Sequence, residues 1–266
     1  MNVLLSLGND LASSVAVRYL SQQAAKVSMN IQPLHIEEEK KHFSLGTGWV
    51  KDTWRDTVVS SSQDEINNFI RNEIRFCRSL SSAITRIGKR EKQTVKEIQN
   101  GNYQLYAMGM LSSSSTKNFY SLLKDGLMEQ VSCPILLIKN LCDFNSVTFL
   151  CRDGLNIKKM IRDYLQLYAK ADVELHLVHI EPGAKETDLV RSEEVPDYLR
   201  GAAKTLEAGG CAPATLSTLR GEPQQIAGTL KDQGMIVSVF DKDRDRQDSF
   251  FDILAHVPTV VLLFWA

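Results

Sequence analysis

Residues that could bind a phosphate group form one short run of hydroxyl side chains. The segment Ser112–Thr116 consists of four serines and a threonine, and it follows an apolar stretch at residues 103–109. Hydroxyl groups and exposed backbone N–H groups donate hydrogen bonds to phosphate oxygens. The run could therefore hold a small phosphate or form a flexible polar loop, and the sequence favours the loop.

A charged run at residues 241–246 is a second segment that could contact an anion. It alternates three aspartates with one lysine and two arginines. The aspartates would repel a triphosphate, and the basic side chains offset only part of that repulsion. The mixed signs favour a solvated surface loop. Residues 37–42 and 89–92 are also mixed in sign, so the sequence indicates no nucleic-acid surface.

The histidines and cysteines do not form a predicted metal site. His176 and His179 lie three residues apart on one predicted strand, which places them on opposite faces. His35 and His179 occupy equivalent places near strand ends, where we expect structural hydrogen bonds. The cysteines have no CxxC spacing, so we expect free thiols in a reducing cytoplasm. They are Cys77, Cys133, Cys142, Cys151 and Cys211.

Catalytic motifs do not occur in the sequence. There is no HExxH, GxSxG or Walker segment. No nucleophile and base can be paired on any evidence other than their residue types. We therefore predict no catalytic residue and no metal. We do not expect an enzyme, although a weak ATPase activity stays open.

The elements that must position these residues are duplicated along the chain. Residues 2–37 align with residues 146–181 without a gap, so that the closing LHIE at 34–37 matches VHIE at 178–181. Each segment has a short apolar run, a polar turn, an amphipathic helix and a second apolar run. This order predicts a βαβ unit, which implies a parallel sheet with a right-handed crossover.

The rest of each half repeats the same order of elements. We predict two five-stranded α/β domains with helices on both faces, covering residues 1–142 and 143–266. The matching predicted elements are third strands at 84–88 and 216–221, helices at 91–99 and 223–232, fourth strands at 103–109 and 235–241, helices at 119–131 and 247–255, and last strands at 133–138 and 257–264.

The connection in the middle of each half differs between the halves. In the first half we predict a polar loop at residues 38–63, followed by a helix at about 64–78. In the second half, residues 181–207 replace it, with a helix at 195–206. The loop contains Trp49 and Trp54, which we expect to hold it against the domain rather than stack on a ligand.

The composition is typical of a soluble globular protein. Of the 266 residues, 43% are hydrophobic and 24% are charged, with a net charge of −1. This charge gives no sign of nucleic-acid binding. No run of about 18 apolar residues occurs, so we predict no membrane insertion. The first residues form no basic leader, and we therefore expect a cytoplasmic protein.

With these features the chain resembles the universal stress protein family, and specifically its tandem members. The matching features are the turn after the first strand, the LHIE and VHIE strands, the Arg-Gly-Glu-Pro segment at 220–223, the fourth strand that reaches Gly109, and the final strand at 132–138. The resemblance covers nearly the whole chain and depends on order, spacing and duplication. It implies a Rossmann-like fold of the adenine nucleotide alpha hydrolase kind.

The resemblance also implies positions for a nucleotide. Nucleotide-binding members carry the signature G-x2-G-x9-G-[ST] after the fourth strand, because glycines let backbone N–H groups approach phosphate oxygens. They also keep an acidic residue after the first strand that contacts the nucleoside. The residues at these positions are Asn9, Gly109, Ser112, Ser113, Ser114 and Asp153. The third glycine position falls near Leu122, and Gly126 comes four residues late.

By this comparison neither half has a complete nucleotide site. The first half keeps Gly109 but has Asn9 in place of the acid, and the second half keeps Asp153 but has no glycines after its fourth strand. We therefore expect a stress-response binding or regulatory protein that requires no cofactor and acts on an unidentified protein partner. Two alternatives stay open: an ATP-binding member that uses its first half, and the regulatory domain of a transporter.

Members of the family dimerise through their last strand. In a tandem chain, the resemblance implies that Ile135–Ile138 and Val260–Phe264 pair with each other across a pseudo-twofold axis. The need to cover an apolar edge favours the same pairing, because an exposed apolar edge strand would pair with another chain. The two halves would then form a pseudo-dimer within one chain, and a further homodimer stays open.

Overall fold

A computed structural model of the protein describes residues 1–38, 49–75, 77–111, 119, 121–122, 126–182, 189–240 and 248–266. It describes the side chains of all these residues except 49–59 and 129. The predicted roles of Trp49 and Trp54 therefore lie outside the described side chains. The predicted site residues Ser112, Ser113 and Ser114 lie outside the described residues altogether.

Strands and helices alternate along the described chain. In chain order they are β1 (Asn2–Ser6), α1 (Leu11–Lys26), β2 (Asn30–Glu37), α2 (Trp49–Glu73), β3 (Ile84–Ile87), α3 (Arg90–Asn100), β4 (Leu105–Gly109), α4 (Gly126–Gln130), β5 (Ile135–Ile138), β6 (Ser146–Cys151), α5 (Ile157–Tyr168), β7 (Glu174–Pro182), β8 (Val190–Ser192), α6 (Asp197–Ala208), β9 (Thr215–Gly221), α7 (Pro223–Thr229), β10 (Met235–Phe240), α8 (Ser249–His256) and β11 (Val261–Trp265).

These strands form one 11-stranded sheet in the order β3-β2-β1-β4-β5-β11-β10-β6-β7-β9-β8. Neighbouring strands are parallel except at β5–β11 and β8–β9. The strand order of the first half therefore appears in reverse in the second half. This arrangement confirms the predicted α/β fold of two parallel-sheet units side by side.

The pairing register is the same in the two βαβ units. Asn2 pairs with Asn30 in the first unit, and Ser146 pairs with Glu174 in the second. In both units the partners are 28 positions apart, which is what a gapless alignment of residues 2–37 with 146–181 requires. The two units therefore have strands, turns and helices of equal total length.

The two halves join through their last strands, as predicted. Leu137 pairs with Val261, Leu136 with Leu262, and Ile135 with Leu263, in an antiparallel register. The register is symmetric about the Leu136–Leu262 pair, so a pseudo-twofold axis passes between these residues. The pairing removes two apolar edges from solvent and makes one continuous sheet.

Helices cover both faces of the sheet, and each face has its own apolar core. One core contains buried side chains of α1, α2, α5 and α6, and the other contains those of α3, α4, α7 and α8. Each core includes strand residues from both halves, such as Leu136 and Leu262 on the first face. The two halves therefore share their cores across the junction.

Hydrogen bonds between α1 and the second half reinforce the junction. The Tyr19 hydroxyl donates to the carbonyl oxygen of Gly234 at 2.7 Å, and the Tyr168 hydroxyl donates to Gln23 Oε1 at 3.1 Å. Tyr19, Tyr168 and Gln23 are all fully buried. Buried polar groups of this kind are costly when left unpaired, so these contacts fix how the halves pack.

Helix α2 begins much earlier than the sequence pattern predicts. Residues 49–63, predicted as a polar loop, are helical, and the helix ends at Glu73 rather than near 78. These residues contain no glycine or proline to break a helix. Their weak apolar periodicity made the segment resemble a loop in the sequence.

The second half carries one strand more than predicted. Strand β8 pairs in antiparallel register with β9 at the edge of the sheet. It has only three residues, too few for an alternating pattern to be visible in the sequence. The predicted division at residue 142 lies in the connection between β5 and β6, and the division into domains stays a prediction.

No helix within the described residues combines the length and the apolar character that crossing a membrane would need.

Candidate functional site

A pocket of about 810 Å³ lies beside the carboxyl end of β6. Its walls are the turn at residues 152–156, the start of α5 and the first turns of α6. Ligands of parallel α/β sheets bind outside the carboxyl ends of the strands, where loops and helix N-termini meet. The place and the size of this pocket both suit a small-molecule ligand.

The turn after β6 presents Asp153 to the pocket. Gly154 has a φ of +80°, in the left-handed region that favours glycine. Asn156 then caps α5, because its Oδ1 accepts a hydrogen bond from the backbone N–H of Lys159 at 3.2 Å. Asp153 is exposed and lines the pocket, so its carboxylate is free to accept hydrogen bonds from a ligand hydroxyl.

The pocket combines apolar walls with a few charged groups. Leu155, Ile157 and Ala202 supply apolar surface, and the Asp197 carboxylate and the Lys158 ammonium lie at its edge. Such a lining suits a ligand with a flat or apolar body and a small number of hydrogen-bonding groups. It offers no nucleophile with an adjacent base among the described residues.

Tyr198 completes the wall of the pocket and belongs to a chain of hydrogen bonds. Its hydroxyl oxygen lies 2.5 Å from Nδ1 of His179, within hydrogen-bond distance. Nε2 of the same imidazole lies 3.4 Å from Glu181 Oε1. Glu181 in turn receives two bonds from Arg220, from Nε at 2.5 Å and from Nη2 at 3.1 Å. The chain connects α6 to the neighbouring strands β7 and β9.

The environment of Tyr198 keeps its phenol protonated. Burial raises the pKa of Tyr198 well above its usual value, and the nearby carboxylates of Asp153 and Glu181 raise it further. The phenol therefore acts as a hydrogen-bond donor and not as a base. Burial likewise raises the pKa of Cys151, so this thiol beside the pocket is not activated as a nucleophile.

Arg152 directly follows β6 and lines the pocket. Its guanidinium forms an ion pair with Asp248, the N-cap residue of α8. The guanidinium carbon also lies 4.6 Å from the centre of the Phe250 ring. Two of its nitrogens, Nε and Nη2, are buried without a hydrogen-bond partner among the described residues. Arg152 thus connects the turn after β6 to the start of α8.

In the first half, Asn9 and Gly109 lie on either side of the start of α1. Asn9 is exposed in the turn after β1, and the next residue, Asp10, caps α1 by accepting the N–H of Ser13 at 2.8 Å. A Cβ atom on Gly109 would lie 2.2 Å from the carbonyl oxygen of Ala12. Packing of α1 on β4 therefore requires glycine at 109, and its role toward a nucleotide stays a prediction.

The structure thus divides the predicted site residues between two places. Asn9 and Gly109 belong to the first half, and Asp153 stands alone at the second-half pocket. Residues 112–118 and 241–247, which follow β4 and β10, lie outside the described residues.

The two predicted structural histidines behave differently. Nδ1 of His35 lies 3.0 Å from the carbonyl oxygen of Leu7, which confirms the predicted structural bond. His179 bonds the side chain of Tyr198, which the sequence analysis did not single out. No group of three His, Cys, Asp or Glu side chains in the described part of the chain is placed to hold a metal ion.

Solved structures with the same architecture cover almost the entire chain. A universal stress protein from Archaeoglobus fulgidus has a TM-score of 0.67 at 16% sequence identity, over 98% of this chain and 95% of that one. The chain has the universal stress protein fold. A Pseudomonas aeruginosa protein of unknown function matches with a TM-score of 0.59 at 14% identity, over 99% of this chain and 92% of that one.

A transporter domain shares the universal stress protein fold over the same length. The cytoplasmic domain of a prokaryotic cation chloride cotransporter matches with a TM-score of 0.52 at 10% identity, over 98% of this chain and 94% of that one. At these identities the likenesses establish the fold alone. No protein-family model matches the chain, and no curated protein matches it in sequence.

Proposed function

We propose that the protein is a regulatory binding protein of the universal stress protein kind that performs no catalysis. Its second half binds a small ligand in the pocket beside Asp153, and the bound state changes its contacts with a partner protein. The observation that carries the proposal is the pocket of about 810 Å³ at the carboxyl end of β6, with the Asp153 carboxylate in its lining.

The lining suits a nucleoside better than a nucleoside triphosphate. Asp153 can accept a hydrogen bond from a sugar hydroxyl, and Leu155, Ile157 and the Tyr198 ring can pack against a base. The sequence after β10 places three aspartates at residues 241–245 where the family signature has glycines. The aspartates repel a polyphosphate tail, and Lys242, Arg244 and Arg246 offset part of that repulsion.

The arrangement of reactive groups supports binding without turnover. Tyr198 stays protonated, and burial raises the pKa of Cys151 next to the pocket. Hydrolysis would require a general base close to the bound ligand that removes a proton from the attacking water. Within the described residues the pocket provides carboxylates at its edge and no paired nucleophile.

A ligand titration followed by thermal unfolding tests the proposal. Adenosine, AMP, ADP and ATP, each with and without Mg²⁺, serve as the probes. Binding to the native state adds about 2.7 kcal/mol of stability at a hundredfold excess over Kd. We expect stabilisation by adenosine or AMP that Asp153→Ala removes. Asn9→Ala, at the equivalent position of the first half, is the matched control and should keep the stabilisation by adenosine or AMP.

Two outcomes would contradict the proposal. One is that no probe raises the unfolding temperature at millimolar concentration. The other is that ATP stabilises the Asp153→Ala variant as much as the wild type, which would favour the alternative of an ATP site in the first half. Gly109 cannot be used for this comparison, because a side chain there would collide with Ala12.

A role as the regulatory domain of a transporter is a second candidate. It is supported by the likeness, over 98% of the chain, to the cytoplasmic domain of a cation chloride cotransporter. Chemical cross-linking in intact cells, followed by mass spectrometry, tests it. Cross-links to a membrane transporter would support this role, and cross-links only to proteins without membrane spans would argue against it.

A further inference from the structure

The same His-Ile-Glu sequence occurs in both halves, but its two histidines contact different kinds of group. His35, followed by Glu37, bonds the main-chain carbonyl of Leu7 at 3.0 Å. His179, followed by Glu181, bonds the hydroxyl of a side chain at 2.5 Å. Because the strands are equivalent, the difference must come from the segments packed against them.

Those segments are the unequal middle connections of the two halves. In the first half, α2 places Ser62 beside Glu37, with Oγ donating to Oε2 at 3.4 Å. In the second half, α6 places Tyr198 over His179, with ring centres 5.8 Å apart in an edge-to-face arrangement. In the second half, therefore, the histidine is coupled to a residue that lines a pocket.

The hydrogen bonds of His179 fix the orientation of its ring. Nδ1 lies within hydrogen-bond distance of the Tyr198 hydroxyl, and Nε2 lies 3.4 Å from Glu181 Oε1, so each ring nitrogen has a polar partner. Glu181 is held by the two bonds from Arg220. His179 is only 5% exposed, so packing and both ring nitrogens restrict its rotation.

The hydrogen bond to His179, and not a cap at the start of α6, holds the Tyr198 side chain in place. Tyr198 is the second residue of α6, whose N-cap residue, Pro196, makes no side-chain capping bond. Uncapped first turns are the least constrained part of a helix. The bond from the Tyr198 hydroxyl to His179 therefore ties the start of α6 to β7, and with it one wall of the pocket.

We propose that Tyr198 is a ligand-contacting residue of the second-half pocket and that His179 is a positioning residue that holds the tyrosine ring in place for it. The ligand class this implies has a flat ring that packs on Tyr198 and a hydroxyl group that donates to Asp153. The inference rests on the proposed ligand-binding function and names two residues on which that function depends.

The test compares adenosine dissociation constants, measured by calorimetry on the full-length protein. Loss of an aromatic stacking partner weakens binding by about tenfold or more, which we expect for Tyr198→Ala. Tyr198→Phe keeps the ring and loses the bond to His179, so we expect about threefold to tenfold weaker binding. His179→Leu should match Tyr198→Phe, because it removes the same bond from the other side.

Two further variants separate positioning from a general structural effect. His179→Asn keeps a side-chain acceptor near the place of Nδ1 and should restore binding to within about threefold of the wild type. His35→Leu removes the equivalent bond of the first half and should leave the adenosine dissociation constant unchanged, even where it lowers the unfolding temperature. Circular dichroism of each variant checks that it is folded.

The possible outcomes distinguish this inference from the proposed function. If the wild type binds neither adenosine nor AMP nor ATP, the proposed function fails and the inference fails with it. If Asp153→Ala loses binding while the Tyr198 and His179 variants bind as the wild type does, only the inference is overturned. Equal weakening by His35→Leu and His179→Leu would also overturn it.

Discussion

Replacement of Lys139 by methionine is expected to remove a pH-dependent part of the protein's stability. Lys139 follows β5 and is only 3% exposed. Its ammonium donates to three carbonyl oxygens near the end of α8, those of Leu254 at 2.6 Å, Ala255 at 3.3 Å and Val257 at 3.1 Å. The side chain thus belongs to one half of the sheet and caps a helix of the other.

Burial lowers the pKa of Lys139 from its usual value of 10.5 to about 7. Below pH 7 the lysine is protonated in the folded and the unfolded chain, and the folded state bears the full cost of the buried charge. Between pH 7 and pH 10.5 the folded state releases its proton while the unfolded state keeps it. The stability contributed by this group therefore rises with pH across that interval.

The expected size follows from the linkage of protonation to folding. Each pH unit between the two pKa values changes the free energy of unfolding by about 1.4 kcal/mol. From pH 7 to pH 9 the wild type should gain roughly 2 to 3 kcal/mol relative to Lys139→Met. Methionine is unbranched and apolar, so it fills the same buried space without a titrating group.

Urea unfolding of both proteins at several values between pH 6 and pH 9.5 measures this difference. The other titrating groups are common to the two proteins and largely cancel in the comparison. A difference that stays constant with pH would refute the reasoning. It would mean that the carbonyl oxygens and the negative end of α8 hold the ammonium charged in the folded state.

Two further predictions concern packing and the junction between the halves. Gly109→Ala should destabilise the protein by about 2 kcal/mol or more in urea unfolding, because the new Cβ would lie 2.2 Å from the Ala12 carbonyl oxygen. Gly228→Ala in α7, where nothing lies within 4 Å, should instead be neutral or stabilising by up to about 1 kcal/mol. Tyr19→Phe should cost about 1 kcal/mol, because it removes the hydroxyl that donates to the buried Gly234 carbonyl at 2.7 Å and leaves that oxygen the weaker Cys142 thiol donor at 3.3 Å. Unchanged unfolding would show that the halves do not depend on the tyrosine bond.

The sheet could be predicted from the sequence because its strands are apolar runs that occur twice. The alignment of residues 2–37 with 146–181 led directly to the equal 28-residue registers. The junction of residues 135–138 with 260–264 followed from the resemblance to a family that dimerises through this strand, together with the need to cover an apolar edge. In these places the residues that favour a strand locally are also the residues that the folded core buries. A single sequence therefore suffices to predict the strand.

The middle connections could not be predicted because their structure depends on neighbours rather than on their own pattern. Strand β8 has three residues and becomes a strand through pairing with β9. The first turns of α2 carry no clear apolar stripe, so residues 49–63 resembled a polar loop. Periodicity identifies elements that bury one face, and the sequence of neither segment shows a period long or regular enough to identify its structure.

The candidate site shows the same limit at the level of single residues. Gly109 matched a phosphate-binding signature, but packing against Ala12 demands the same residue, and sequence cannot separate the two reasons. Tyr198 lies in the middle connection, whose sequence differs between the two halves, so the internal alignment gave no signal for it. Asp153 was predicted from its place after β6, and the pocket lies there.

The central claim is that the second half binds one small ligand per chain beside Asp153. Isothermal titration of the wild type and of Asp153→Asn with adenosine and with ATP tests it most directly, because the stoichiometry counts the sites. We expect one adenosine per chain, weaker binding of ATP, and loss of the adenosine heat in Asp153→Asn. Two sites per chain, or a single site that Asp153→Asn leaves unchanged, would contradict the account.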